Sequence, residues 1–196
     1  MSYKIMIVDD DPITRMDLRE MLKEEGYEVV KECKNGEEAV EHSLHLKPDL
    51  IIMDVKMPIL NGLKAAKIIR RKLDTAILLL TAYSQRELIE DAKESGVTAY
   101  LVKPITEVDL IPAIEIALSQ KKQYDCLARD LQSLKQKLEE RRKVEQAKGI
   151  IMEALALSEE AAYQWLRDYS MKKRIALVTV SEFILKNNES FSKTSF

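Results

Sequence analysis

Short apolar runs alternate with longer amphipathic segments through the first 120 residues, and this alternation constrains the fold more than any other feature of the sequence. The amphipathic segments have helical spacing, with Pro12 suited to the start of the first helix and Gly26 to its end. Continuous apolar strands separated by helices build a parallel sheet covered on both faces. We therefore predict a doubly wound five-stranded α/β domain over residues 1–120. Its strands are expected at residues 4–8, 27–30, 50–53, 76–80 and 99–102, with helices at about 12–25, 37–46, 63–72 and 84–95.

Polar side chains follow four of the predicted strands, where each strand ends. Asp9 and Asp10 follow the first strand, Asp54 the third, Thr81 the fourth and Lys103 the fifth. The carboxyl ends of parallel strands meet at one edge of a sheet. Any one of these acidic residues alone is typical of a turn or a helix cap, but the set as a whole predicts a site. Clustered carboxylates stay ionised around a cation such as Mg²⁺, beside which a carboxylate can attack phosphorus and form an acyl phosphate.

Four segments that contain these residues, IVDDDP, MDVKMP, LLLTAY and YLVKP, resemble the landmarks of receiver domains of two-component response regulators. The resemblance covers about residues 3–120 and implies a flavodoxin-like fold. It also implies a sensor histidine kinase as partner and Asp54 as phosphoacceptor. Thr81 and Tyr100 match the switch pair of the family, and Lys103 matches its phosphate-binding lysine. Without the resemblance, Tyr100 is typical of a half-buried strand aromatic.

The same resemblance implies a particular set of ligands for Mg²⁺. Asp10 and Asp54 are expected to bind the ion directly, with the backbone carbonyl of Lys56 as a third protein ligand. Asp9 is expected to act mainly through a metal-bound water.

The C-terminal part of the chain differs from the first part in charge and composition. Residues 1–120 carry 16 Lys and Arg against 22 Asp and Glu, whereas residues 121–196 carry 15 against 11. Proline is absent after Pro112, and Gly149 is the one glycine in that stretch. We therefore predict an almost wholly helical second part with a different task. Its predicted regions are a coiled-coil linker at 121–140, a small three-helix bundle at 141–190 and a tail at 191–196.

An apolar stripe at heptad spacing runs along the linker helix. It predicts a two-stranded coiled coil, and the alternative is that the helix packs this stripe on its own C-terminal bundle. The residues of the predicted seam are Tyr124, Leu127, Leu131, Leu134 and Leu138.

The predicted bundle carries basic clusters on its first helix and in the turn between its second and third helices. Basic groups near aromatic residues such as Tyr163, Trp165 and Tyr169 suit contact with phosphates and stacking on bases. Aromatic residues at helical spacing also commonly form a core, and a basic helix face is commonly just solvated. The candidate contact residues are Arg141, Arg142, Lys143, Lys148, Gly149, Lys172, Lys173 and Arg174.

The segments EQAKGIIM and LSEEAAYQWLRDYSM resemble the ANTAR output domain of transcription antiterminators over about residues 135–190. The Ala147-Lys148-Gly149 core is the most specific part of the match. The resemblance implies binding to RNA, usually paired stem-loops in nascent transcripts, and prevention of terminator formation. Together the two resemblances predict a phosphorylation-controlled antiterminator that dimerises when phosphorylated.

Two other functions remain open at this point. A DNA-binding response regulator predicts a helix-turn-helix with a glycine-containing turn, which the glycine-free segments 152–157 and 170–175 fit poorly. A regulator that acts by protein contact through its coiled coil predicts no salt-sensitive binding to nucleic acid. An enzymatic output domain is not expected, because no nucleophile–base pair or metal-ligand constellation follows residue 121.

Several further classes are disfavoured by composition. No apolar run approaches the length of about 18 residues needed for a membrane span, so we expect a cytosolic protein without a membrane partner. Cys33 and Cys126 are isolated in sequence, which argues against a zinc site or a disulfide scaffold.

Overall fold

The computed structural model describes residues 2–82 and 97–187, which divide into two compact units, Met1–Asp125 and Cys126–Phe196. The predicted helix at 84–95 and the tail at 191–196 lie outside the described residues. In the described part, no helix combines the length and apolar character needed to cross a bilayer.

The first unit contains a five-stranded parallel sheet with the strand order β2-β1-β3-β4-β5. Its strands are β1 (Lys4–Val8), β2 (Glu28–Cys33), β3 (Leu50–Asp54), β4 (Ala76–Thr81) and β5 (Ala99–Val102). Its helices include α1 (Pro12–Glu24), α2 (Gly36–Leu46) and α3 (Gly62–Lys72). Every residue of β3 and β4 is buried. The predicted parallel sheet is therefore confirmed, and two apolar clusters on its opposite faces form the core.

Strand β2 is longer than predicted and begins one residue later. We expected residues 27–30, whereas the strand extends to Cys33 through Lys31 and Glu32. It is an edge strand that pairs only with β1 in the described residues, and Lys31 and Glu32 are only half-buried, so polar side chains fit at these positions. An apolar-run criterion misses such residues because it assumes burial on both faces.

A single helix, α4 (Glu107–Leu155), has residues in both units. Within the first unit, Leu110, Ile114 and Ala117 of this helix are fully buried against the sheet. The charged run from Lys135 to Lys143 remains helical, as expected for residues with good helix propensity.

The second unit is completed by α5 (Glu159–Lys173) and α6 (Leu177–Lys186). Ser158 caps α5, because its hydroxyl accepts a hydrogen bond of 3.3 Å from the Ala161 amide. Arg174 ends α5 in the left-handed conformation. The core of this unit is small, and its fully packed members are Ala147, Ile151, Ala162, Leu166, Val180 and Ile184.

Candidate functional site

The polar residues predicted at the strand ends do lie at one edge of the sheet. Parallel pairing aligns Val8 with Met53 and Asp54 with Leu80, so the ends of β1, β3 and β4 are level. Thr81 aligns with Val102, the last residue of β5, which places Lys103 directly beyond that end. The carboxylates that follow β1 and end β3, together with Thr81 and Lys103, therefore lie at the same end of the sheet.

Lys103 joins two of the carboxylates through its ammonium group. Its Nζ lies 2.7 Å from Asp9 Oδ2 and 2.9 Å from Asp54 Oδ1. Asp9 is fully buried and Asp54 is 5% exposed. Burial raises the pKa of Asp54, although the hydrogen bond and charge of Lys103 act in the opposite direction. Burial disfavours the Lys103 ammonium, but its hydrogen bonds to Asp9 and Asp54 outweigh that effect and raise its pKa.

The three consecutive aspartates after β1 have three different roles. Asp9 accepts a hydrogen bond of 2.9 Å at Oδ1 from the Asp11 amide, which helps to orient its buried carboxylate. Asp10 is exposed at the mouth of the site. Asp11 caps α1 by accepting hydrogen bonds from the Ile13 amide and the Thr14 hydroxyl, and these bonds lower its pKa. The cap function of Asp11 was not predicted, although an acidic residue directly before Pro12 is a recognisable signal for it.

The loop after β3 passes so close to Asp54 that it requires glycine. A Cβ atom on Gly62 would lie 2.1 Å from the Asp54 carbonyl oxygen and 3.2 Å from the Val55 Cα. The Gly62 amide donates a hydrogen bond of 3.0 Å to the Val55 carbonyl, and Asn61 caps α3 beside it. The role of Asn61 and Gly62 beside Asp54 was not predicted from the sequence.

The carboxylates at this edge fit a hard divalent cation. One oxygen from each of Asp9, Asp10 and Asp54 can be chosen so that all three lie within 4.8 Å of one another. Oxygen ligands of this kind, partly open to solvent, suit Mg²⁺, which keeps several of its waters and bridges to phosphate oxygens. When bound, such an ion neutralises the carboxylates and polarises a phosphoryl donor. Lys56, whose carbonyl was predicted as a further ligand, lies two residues after Asp54 in the same loop.

The two predicted switch residues differ in exposure. Thr81 is buried at the end of β4, and its carbonyl accepts a hydrogen bond of 2.8 Å from the Lys103 amide. Tyr100 lies on β5 with 46% of its surface exposed. Among the described strands, β5 is an edge strand of the sheet.

The basic residues predicted to contact RNA fall into two groups in the second unit. Five of them are exposed, and they are Arg141, Arg142, Lys172, Lys173 and Arg174. Lys143 and Lys148 instead form ion pairs within the unit, and Lys148 is only 8% exposed. Gly149 lies inside α4, and a Cβ atom added there would meet nothing within 4 Å.

Trp165 and Tyr169 are half-buried side chains of the second unit. Both pack against its core, and their rings stack with centroids 5.4 Å apart. Tyr163, on the same helix, is 43% exposed. Core packing therefore describes Trp165 and Tyr169, and Tyr163 remains the exposed aromatic candidate for stacking on a base.

The predicted coiled-coil seam is open to solvent in the single chain. Its five residues are between 54% and 69% exposed. In the part of the chain that the structure describes, this exposed stripe is not covered by the C-terminal bundle of its own chain, which was the alternative prediction. The seam residues are Tyr124, Leu127, Leu131, Leu134 and Leu138.

Comparison with known proteins identifies both parts of the chain. Residues 5–115 match the response regulator receiver domain family, and residues 132–185 match the ANTAR domain family. The transcriptional regulatory protein PdtaR of Mycobacterium tuberculosis is 44% identical over 183 residues, which cover 93% of this chain and 89% of that protein. The chemotaxis protein CheY of Bacillus subtilis is 35% identical over 120 residues, covering 61% of this chain and 100% of CheY.

A solved receiver domain shares the fold of the first unit. The signal receiver domain of a modulated diguanylate cyclase from Desulfovibrio desulfuricans matches with a TM-score of 0.59 and 30% identity, covering 63% of this chain and 99% of that chain. Receiver domains bind Mg²⁺ at an acidic pocket, which here is the cluster of Asp9, Asp10 and Asp54. Both matched families are regulatory or binding domains rather than enzymes. The chain therefore belongs to the response regulators of two-component systems, with an N-terminal receiver domain and a C-terminal ANTAR domain, the domain of RNA-binding antitermination.

Proposed function

We propose that this response regulator is phosphorylated on Asp54 in the cytosol by a sensor histidine kinase, and that phosphorylation controls its binding to paired RNA stem-loops. Binding to such stem-loops in a nascent transcript would prevent formation of the terminator. The observation that carries the proposal is the combination in one chain of the Asp9–Lys103–Asp54 site with an ANTAR domain.

The site has the groups that phosphoryl transfer needs. A carboxylate oxygen of Asp54 attacks the phosphorus of the donor, the bond from phosphorus to its leaving group breaks, and an acyl phosphate forms. Lys103, now paired with Asp9 and Asp54, pairs with an oxygen of the new phosphoryl group. Thr81 offers a hydroxyl at the adjacent strand end. The added charge then biases the receiver between two states, with Thr81 and Tyr100 as the switch pair.

A groove beside the site offers a surface for the kinase. It has a volume of about 210 Å³ and is lined by α1 and by the residues directly after β5, from Lys103 to Ile105. Ile13 and Met16 of α1 are exposed apolar residues. A partner that docks on α1 would bring its phosphoryl group to Asp54.

Phosphorylation is proposed to produce a homodimer through the exposed seam of α4. Solvent-exposed leucines at heptad spacing are stabilised when a second copy covers them. Two ANTAR domains held together engage two hairpins of one RNA, which raises their effective concentration on the second hairpin. The proposed domain limits are 1–120 for the receiver, 121–140 for the linker, 141–190 for the ANTAR domain and 191–196 for the tail.

The two rival functions make different predictions. The ANTAR match supports RNA over DNA, and a DNA-binding regulator would prefer duplex DNA to hairpin RNA. A regulator that acts only by protein contact is supported by the exposed seam. It would dimerise on phosphorylation without binding nucleic acid.

A selection followed by a mobility-shift assay tests the proposal. A pool of RNAs with two short hairpins and randomised loops is enriched on the full chain treated with acetyl phosphate and Mg²⁺. The enriched RNA is then compared with its single-hairpin halves and with duplex DNA, with and without acetyl phosphate. We expect tightest binding of the twin-hairpin RNA to the phosphorylated protein. Equal binding of duplex DNA, or no enrichment of any RNA, would contradict the proposal.

A further inference from the structure

The most buried basic residue of the described chain lies in the ANTAR domain. Lys148 is 8% exposed, and it is the one lysine or arginine among the buried residues of the described ranges. A lysine whose side chain is covered to this extent is commonly paired through its ammonium group. Its Nζ contacts Glu145, one turn earlier on α4, and lies 2.8 Å from Glu159 Oε1.

The contact with Glu159 connects two helices. Glu159 is the first residue of α5, and its own side chain is 71% exposed, so Lys148 reaches outward from α4 to the start of the next helix. The hydrogen bonds that Lys148 donates to Glu145 and to Glu159 raise the pKa of Lys148, and the bond to Glu159 lowers the pKa of that carboxyl group. Both groups are therefore fully charged near neutral pH.

A second lysine of α4 makes the same kind of connection to α6. Lys143 Nζ lies 2.6 Å from Glu182 Oε1, and each of these side chains is about two-fifths exposed at 38% and 42%. Two lysines of the long helix thus each hold one of the other two helices. The apolar core between these helices is small, so their relative positions depend more than usual on polar contacts.

The remaining cations behave differently. In the part of the chain that the structure describes, five predicted contact residues are exposed and form no ion pair. Phosphate oxygens can reach these groups without displacing a carboxylate. They are Arg141, Arg142, Lys172, Lys173 and Arg174.

We propose that Lys143 and Lys148 are positioning residues, which hold α6 and α5 on α4, and that among the predicted contact residues only the five exposed cations contact RNA phosphates. This inference deepens the proposed function and depends on it for its RNA part. Lys148 then acts on RNA binding only through the placement of α5, whose C-terminal end carries Lys172 and Lys173.

The test uses the glutamate partner rather than the lysine, because the two roles predict effects of opposite sign. If Lys148 contacted phosphate, Glu159→Gln would free the ammonium group and leave RNA binding equal or tighter. If Lys148 positions α5, Glu159→Gln removes its partner and weakens binding. Glu160→Gln is the matched control, since Glu160 is the neighbouring exposed glutamate in the same first turn.

The measurements are hairpin affinity against salt, with the enriched twin-hairpin RNA, and thermal unfolding of the full chain. We expect Lys148→Gln and Glu159→Gln each to weaken binding roughly twofold to fivefold. The double variant should be no weaker than either single variant, and Lys148→Arg should bind like the wild type. The slope of log affinity against log salt should stay unchanged, whereas Arg142→Gln should lower it by about 0.7–0.9. Lys143→Gln and Glu182→Gln should each weaken RNA binding in the same way, because they remove the second lysine–glutamate pair.

Two results would overturn the inference. One is a Glu159→Gln variant that binds RNA at least as tightly as the wild type while Lys148→Gln lowers the salt slope. The other is an unfolding midpoint of Lys148→Gln and Glu159→Gln that equals the midpoint of Glu160→Gln. The unfolding measurement needs no RNA, so a failure of the proposed function itself is recognised separately by the absence of an enriched RNA.

Discussion

At the scale of single residues, Asp54 is the proposed phosphoacceptor. Asp54→Asn should abolish incorporation of the phosphoryl group from acetyl phosphate, because an amide is too weak a nucleophile. The measurement is the intact mass of the protein after treatment with acetyl phosphate and Mg²⁺. A stable phosphoryl adduct on the variant would place the acceptor elsewhere. Asp10→Ala is the companion variant, and it should weaken Mg²⁺ binding while Asp54 remains in place.

The two cysteines should differ sharply in reactivity. Cys33 is buried at the end of β2, and burial raises the pKa of its thiol to about 12, so it stays protonated near neutral and mildly alkaline pH. Cys126 is exposed on α4. A coloured disulfide reagent used near the usual Cys pKa of about 8.5 should therefore modify one thiol rapidly in the native chain and both after unfolding. Cys126→Ser should remove the rapid phase, and two rapid thiols in the native protein would contradict the burial of Cys33.

At the scale of secondary-structure elements, two helical glycines should respond to alanine with opposite signs. Gly62→Ala places a methyl group 2.1 Å from the Asp54 carbonyl oxygen, so we expect a loss of roughly 1–3 kcal/mol and slower phosphorylation. Gly149→Ala meets nothing within 4 Å and should stabilise α4 by roughly 0.5–1 kcal/mol. Unfolding of the Gly62→Ala variant is measured by circular dichroism. The fluorescence of the single tryptophan, Trp165, follows unfolding of the domain that contains Gly149.

Two aromatic residues of α5 form a second contrasting pair. Trp165 packs on the core and stacks on Tyr169, so Trp165→Ala should cost about 3 kcal/mol of stability in denaturant unfolding followed by circular dichroism. Tyr163 is 43% exposed and is not among the residues that pack on the core, so Tyr163→Ala should leave stability nearly unchanged. If Tyr163 stacks on an RNA base, its removal should cost roughly 1–3 kcal/mol of binding and relax the loop preference. A stable Trp165→Ala variant would disprove the interior role of that ring.

The sequence predicted best the strands whose side chains are buried on both faces of the sheet. The central strands β3 and β4 are apolar throughout, so their limits are visible in the residue pattern. The predicted second strand ended too early, at residue 30, because the polar residues Lys31 and Glu32 of this edge strand follow the apolar run. The strand-end cluster could be predicted from topology, because parallel strands fix which of their ends meet.

The parts of the site that the sequence did not predict depend on distances between segments far apart in the chain. The close approach of Gly62 to the Asp54 backbone is a contact that no local pattern encodes. The partner of Lys148 is on another helix, so net charge and spacing alone placed this lysine with the exposed cations. Asp11 was the exception, because its capping role could have been inferred from its position before Pro12.

At the scale of the whole molecule, the oligomeric state should follow phosphorylation. The unphosphorylated chain should sediment mainly as a monomer, and the beryllofluoride-treated chain as a dimer, because the seam is imperfect, with the polar and exposed Gln120 one turn before Tyr124. Replacing Leu131 and Leu138 with asparagine should keep the treated chain monomeric. Gln132→Asn, at an exposed position outside the seam, is the control and should dimerise normally. A single mass under both conditions for the wild type would refute the switch.

If the proposed dimer forms through the open seam of α4, thermodynamic reciprocity makes the RNA an effector of the protein. If dimerisation raises affinity for a twin-hairpin RNA by a given factor, that RNA must strengthen dimerisation by the same factor. A transcript with two hairpins should therefore draw unphosphorylated chains together, whereas a transcript with one hairpin should not. The five seam residues are exposed in the single chain, so any ligand that binds two copies at once should favour the dimer. The proposed response should then depend on transcript abundance and on protein concentration as well as on the kinase.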